Sequence, residues 1–282
     1  MEETMSKDYL TAPNKTIVSA TGITFSYREL GNPDQIPLVL FNFMAGTLDT
    51  WDSRLINQLA QRRHLIAFDN TGVGYSSGKV PTSIKQMAID ALTFIKALNF
   101  KQIDALGFSM GGMVVQELLE LDSTIVRKII LAGTGPRGGS GVSLAEKIIN
   151  LKFLKSLSHL NNIKSYLFFT KIPDEKIITT TYLKQIQSRM SNRDKKATLS
   201  VYLRQLKAIN DWSKAKPMDL STITNPTLIV DGAYDIMVPT VNSYALNQEI
   251  KNSTLIIYSD AGHGSIFQHF ERFSKSVIEF LN

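Results

Sequence analysis

The twenty residues from Gln102 to Leu121 constrain this 282-residue chain more than any others. Ile103 to Leu106, which reads as a short buried strand, is followed by Gly107-Phe108-Ser109-Met110-Gly111 and then by apolar residues at helical spacing from Met113 to Leu121. A strand that turns directly into a helix leaves no room for side chains two positions either side of the turn, and glycine supplies that room. The G-x-S-x-G spacing is that of a nucleophile elbow, which lifts the Ser109 hydroxyl clear of the sheet. The first N–H groups of the following helix, Met110 N–H above all, have no intrahelical partner and face a developing oxyanion. The arrangement suits acyl transfer. A glycine-rich turn with an incidental serine would have no reason to lie between a buried strand and an amphipathic helix.

The rest of the chain alternates in the same way. Thr16 to Ser19 and Ile23 to Arg28, separated by Thr21-Gly22, read as a hairpin at a sheet edge. Pro37 to Phe41 and His64 to Phe68 are continuous apolar runs, as expected of strands buried on both faces of a parallel sheet. Between them an amphipathic helix carries Trp51, Leu55 and Leu59 on one face, and a further helix is predicted from Ser83 to Asn99. Arg127 to Ala132 is another strand, after which the alternation stops. From Pro136 to Pro217 the pattern is only helical, over Ser143 to Leu160, Asp174 to Met190 and Arg193 to Trp212. Strands resume at Thr227 to Val230 and Thr254 to Tyr258, with helices at Val241 to Gln248 and Ser265 to Leu281. Repeated strand-helix units predict an α/β fold with a doubly wound, mostly parallel sheet. The core comprises residues 1–135 and 217–282, and residues 136–216 form an inserted helical lid.

Composition narrows the chemistry. The chain has no cysteine, which excludes thiolate nucleophiles, zinc-thiolate sites and disulfides. No apolar run reaches the length of a membrane span. Met1 to Asn14 lacks an apolar segment behind a basic start, so it is expected to be a loose tail rather than a secretory signal, and the chain to be cytoplasmic. The net charge of +6 comes from one segment: residues 137–216 hold 16 Lys/Arg against 5 Asp/Glu, and the remainder is net acidic. These cations are scattered between apolar positions without interleaved aromatics, so they read as solvated helix faces and not as a nucleic-acid interface.

Ser109 needs a base and an orienting acid, in the chain order serine, acid, histidine. Asp235, in Gly232-Ala233-Tyr234-Asp235, follows the strand ending at Val230, and His263, in Asp260-Ala261-Gly262-His263, follows the strand ending at Tyr258. Loops at the carboxyl ends of strands are where open α/β sheets build sites. His64 heads a strand, His159 lies in the helical block and His269 in the last helix, so each is expected to be structural or superficial. Asp231 is still at a strand end, and Asp260 is better placed to shape a turn. Gly133 to Gly138 matches G-x-G-x-x-G, but Pro136 breaks any helix meant to start inside it. No residue cluster has metal-ligand spacing.

With Gly107 to Gly111, Asp69 to Ser76, Gly232 to Pro239 and Ala261 to His263 in view, the chain resembles the α/β-hydrolase-fold superfamily over nearly its whole length. It looks most similar to the branch of esterases, cofactor-free haloperoxidases and enol-lactonases. The resemblance implies a serine hydrolase with Ser109, Asp235 and His263 as its triad, cleaving an ester, lactone or thioester of a small apolar acyl compound. Serine at 109 argues against the dehalogenases and epoxide hydrolases of this fold, which use aspartate. Carbon–carbon bond hydrolases or lyases, and a non-catalytic ligand-binding member of the fold, are the rival readings. Family members usually carry His-Gly after the third strand; here Asn42-Phe43 stand there, which makes Met44 the donor of the second oxyanion-hole N–H and suggests a local network of Asn42 with Asn70 and Thr71. Phe43, Val238 and Trp212 are expected to line the substrate pocket. No metal or organic cofactor is implied, the partner is a small-molecule substrate, and both a monomer and a homodimer through the insert are compatible with the sequence.

Overall fold

The computed structural model describes residues 8–141, 167–169 and 174–282. Eight strands, β1 (Lys15–Val18), β2 (Thr24–Leu30), β3 (Leu38–Phe41), β4 (Leu65–Phe68), β5 (Ile103–Phe108), β6 (Val126–Ala132), β7 (Thr227–Gly232) and β8 (Ser253–Tyr258), form one sheet in the order β1-β2-β4-β3-β5-β6-β7-β8. The pairings of β1 with β2 and of β2 with β4 are antiparallel, and all others are parallel. Every residue of β3, β4, β5 and β7 is buried; in β3 and β4 this is the physical counterpart of unbroken apolar runs, while the buried Asp104 of β5 is paired with Arg127.

Helices cover both faces: α1 (Ser53–Ala60), α2 (Ile84–Ala97), α3 (Met110–Leu121), α4 (Glu175–Gln187), α5 (Leu199–Ser213), α6 (Val241–Glu249), α7 (Ser265–Gln268) and α8 (Phe270–Leu281). Local chemistry sets several starts. The side chains of Asp52, Ser83 and Thr198 accept from the N–H groups of Arg54, Gln86 and Val201, each satisfying a donor that a helix start leaves unpaired. Trp51 therefore lies just before α1 rather than on it, and α5 begins at Leu199, not Arg193, because Thr198 caps it. The expected last helix breaks at His269 into α7 and α8. Between β6 and β7 the described residues contain helices and no strand; the helix expected over Ser143 to Leu160 lies outside the described residues.

The first described residues are not a loose tail. The Tyr9 hydroxyl donates to the Leu48 carbonyl at 2.6 Å, and the Arg189 guanidinium donates to the carbonyls of Tyr9 (3.0 Å), Leu10 (2.9 Å) and Ala12 (2.8 Å). Beside them the buried Arg28 of β2 pairs with Asp49 at 2.6 Å and stacks over the Tyr9 ring at 5.0 Å. Asp49 Oδ2 in turn accepts from the Asp194 N–H at 2.8 Å. Core and insert thus share one buried polar network.

Asp194 also meets Asp69, at the end of β4. Both carboxyls accept from Leu48 N–H, at 3.2 and 3.0 Å. They converge on Gly74, where a Cβ would lie 2.3 Å from Asp69 Oδ2 and 2.6 Å from both Asp194 oxygens, and where φ is +58°. Only glycine fits there. Burial, and then the facing Asp194 carboxyl, pushes Asp69 well above the usual carboxylate range; burial also raises Asp194. A carboxyl raised in the folded state holds its proton where the unfolded chain has lost it. The stability this confers is complete below the unfolded value, about 3.9, and is lost as pH rises through the folded one. Urea unfolding of the native chain and of Asp69→Asn, followed between about pH 4 and pH 8, should show the native chain losing stability relative to the variant as pH rises. A pH-independent difference would contradict a raised carboxyl.

Candidate active site

Ser109 occupies the turn between β5 and α3 with φ +56° and ψ −119°, a positive-φ conformation that is strained for a residue with a Cβ. Its N–H donates to the Ala132 carbonyl and its carbonyl accepts from Gly112 N–H, both at 2.9 Å, which pins the turn. A Cβ on Gly111 would lie 2.0 Å from the Phe41 carbonyl oxygen, so α3 and β3 meet through backbone alone and the hydroxyl is held at the sheet edge.

The loop after β7 turns Asp235 back on itself. Its Oδ1 accepts from the N–H groups of Met237 (2.7 Å) and Val238 (2.9 Å), which leaves Oδ2 to accept from His263 Nδ1 at 2.6 Å. The other ring nitrogen, Nε2, lies 3.0 Å from Ser109 Oγ. Three side chains from the carboxyl ends of β5, β7 and β8 therefore form one hydrogen-bonded line. His263 is buried, with the rings of Phe108 and Phe168 centred 5.1 and 5.6 Å from the imidazole. Asp231, fully buried, accepts from the Ser243 hydroxyl at 2.7 Å, and burial followed by the Asp235 charge pushes its carboxyl well above the usual range.

The other candidates go elsewhere. His64 pairs with Glu29 at 2.7 Å and His269 with Asp260 at 2.9 Å, both far along the chain from the serine turn; His159 lies outside the described residues. Phe43 is buried in an aromatic cluster, with ring centroids 5.3 Å from Phe108 and Phe168 and 6.2 Å from Trp51. Val238 is buried and its N–H holds Asp235. Trp212 turns to α3, where its indole N–H donates to Glu117 Oε1 at 2.8 Å, so it fastens α5 to the elbow helix. Asn42 joins neither Asn70 nor Thr71: its Nδ2 donates to the Phe68 carbonyl at 2.9 Å and its buried Oδ1 has no partner among the described residues. The N–H groups of Met44 and Met110 likewise have no hydrogen-bond partner among the described residues.

A cavity of about 850 Å³ opens between the loop after β3, at Ala45, Thr47 and Thr50, and the insert, at Ile186, Thr198 and Tyr202. It reaches the loop that carries Met44 without touching Ser109. No local pattern points to the side chains that tie this loop to the insert, Gln205 and Asp194, since each contact spans about 150 residues of sequence and leaves no periodic trace.

A mostly parallel sheet with a serine at the strand-to-helix turn after β5 defines a hydrolase of the α/β type. Residues 36–270 match the family model for the alpha/beta hydrolase fold, and the chain belongs to that family. An alpha/beta hydrolase fold protein from Chitinophaga pinensis is 36% identical, with a TM-score of 0.93 over 98% of this chain and 99% of that one. A 2-hydroxy-6-oxo-6-(2'-aminophenyl)hexa-2,4-dienoic acid hydrolase from Metapseudomonas resinovorans is 26% identical over 99% of this chain and 95% of its own length. An esterase from Exiguobacterium antarcticum shares the fold, at 21% identity and a TM-score of 0.76 over 95% of this chain and 99% of that one. No described helix is long and apolar enough to cross a membrane.

Proposed function

We propose that the chain is a serine hydrolase of esters, lactones or thioesters of small, largely apolar acyl compounds. The reading is carried by the line from Asp235 through His263 to Ser109, at 2.6 and 3.0 Å. In acylation the Ser109 oxygen bonds to the carbonyl carbon while its proton passes to His263 Nε2. The carbonyl oxygen becomes an oxyanion, which the N–H groups of Met110 and Met44 receive. His263 then returns the proton to the departing alcohol or thiol, and water repeats the cycle to free the acid and the serine. Asp235 holds the imidazole in the Nδ1–H tautomer and offsets the charge it gains. Residues 136–216 serve as a cap whose described part packs on the loop after β3. The apolar surroundings of His263, built by Phe108 and Phe168 with Phe43 packed against both, suit an apolar acyl group.

The likeness to the Metapseudomonas dienoic acid hydrolase supports a second reading, in which the same triad cleaves a carbon–carbon bond next to a ketone. Substrate pairs separate the two. Nitrophenyl esters with two- to eight-carbon acyl chains should give a burst of nitrophenol, from accumulating acyl-enzyme, followed by steady turnover. If esters are inert while a vinylogous 1,5-diketone is cleaved, the carbon–carbon reading replaces this one. Saturable binding of either compound without turnover would instead mark a ligand-binding protein.

A further inference from the structure

The Met44 N–H belongs to a loop whose conformation is held from the insert. Ala45 has φ +55°, a left-handed conformation costing about 1–2 kcal/mol for a residue with a Cβ, so something must hold it there. Gly46 N–H closes the turn on the Phe43 carbonyl at 2.9 Å. A side chain of the insert fastens it as well: Ala45 N–H donates to Gln205 Oε1 of α5 at 2.7 Å. Gln205 is fully buried, and its Nε2 has no hydrogen-bond partner among the described residues. The backbone donor fixes which end of the carboxamide is oxygen, so the amino group is the unpaired end. A buried, unsatisfied N–H costs about 1–3 kcal/mol, and a methionine or leucine there would avoid that cost. The carboxamide contributes through its oxygen.

We propose that Gln205 is the positioning residue of the oxyanion hole. By holding the Ala45 N–H it fixes the peptide plane next to that of Met44, and so aims the Met44 N–H at the oxygen on which charge develops. The hole is therefore completed by the insert, through a contact 160 residues distant in sequence. Movement of α5 away from the core would take the Gln205 acceptor from Ala45 and loosen the aim of the second donor, while Met110, fixed by the elbow, would stay. This assignment rests on acyl transfer at Ser109 with Met44 as donor.

The test compares Gln205→Met with Gln205→Glu. Methionine keeps the length and loses the acceptor; burial keeps the glutamic acid protonated, so its carbonyl still accepts from Ala45. Gln205→Met should lower kcat for a nitrophenyl ester by about 10- to 100-fold with KM within about twofold, since a misplaced donor is felt in the transition state alone. Affinity for an alkylboronic acid, whose tetrahedral adduct on Ser109 places an oxygen in the hole, should fall by a similar factor. Gln205→Glu should keep more of both, although it melts at the lower temperature. A residue that merely packed the interface would reverse the order, with the more stable methionine variant the more active. Equal kcat in the native chain and both variants, or that reversed order, overturns the proposal. Were Ser109→Ala as active as the native chain, the acyl-transfer reading itself would fail.

Discussion

Ser109→Ala should lower kcat/KM for nitrophenyl esters by about 10³- to 10⁶-fold, the range seen when a member of such a triad is removed. The substitution deletes one oxygen. It leaves the turn intact, because the bonds that pin residue 109 run through its N–H to Ala132 and its carbonyl to Gly112. Thermal stability should therefore hardly change, and the loss reads as chemistry. His263→Ala should cost a similar factor, and combining the two should add little, because the side chains work as a unit. The activity left over would come from binding and the oxyanion donors. A loss under tenfold would rule out Ser109 as the nucleophile.

Arg28→Met should destabilise the chain by about 3–5 kcal/mol, as expected when one partner of a buried ion pair is removed. Arg28 donates to Asp49 at 2.6 Å, to Asn14 Oδ1 at 2.7 Å and to the Leu48 carbonyl at 3.4 Å. Its loss leaves the Asp49 carboxylate buried, with the half-exposed Arg193 3.5 Å away and the charge of Arg189, already spent on backbone carbonyls, to offset it. It also removes a buried cation whose charge acts on the Asp69 and Asp194 carboxyls. For a chain of this size the melting temperature should fall by about 6–20 °C. Arg28→Met combined with Asp49→Leu should recover part of the loss, since the stranded charge goes too. A change below about 1 kcal/mol would mean that water reaches Asp49 when the guanidinium is absent.

Much of the sheet could be read from the chain because its strands are buried on both faces and stand between glycine and proline turns. Leu38 to Phe41, Leu65 to Phe68 and Ile103 to Phe108 are examples. Ser109 stood out for the glycines around it, and Asp235 and His263 because each follows a strand's carboxyl end. What could not be read depends on distant partners. Nothing local says that Arg28, in an edge hairpin, is among the largest fully buried side chains, or that Asp194 will face Asp69. Trp212 has an apolar pattern suited to a pocket, and its indole N–H found Glu117 instead. The basic excess of the insert is partly structural: Arg189 spends its donors on the carbonyls of residues 9, 10 and 12.

That last contact bears on how members of this family can be recombined. The side chain of Arg189 reads only backbone, so any sequence at residues 9–12 that keeps the same path satisfies it, and any path that differs leaves a guanidinium stranded. The opening segment and the insert are thus held to one another, although some 180 residues separate them. A chimera that imports a foreign insert keeps this lock only if the insert brings a cation to the place of Arg189 and residues 9–12 keep their path.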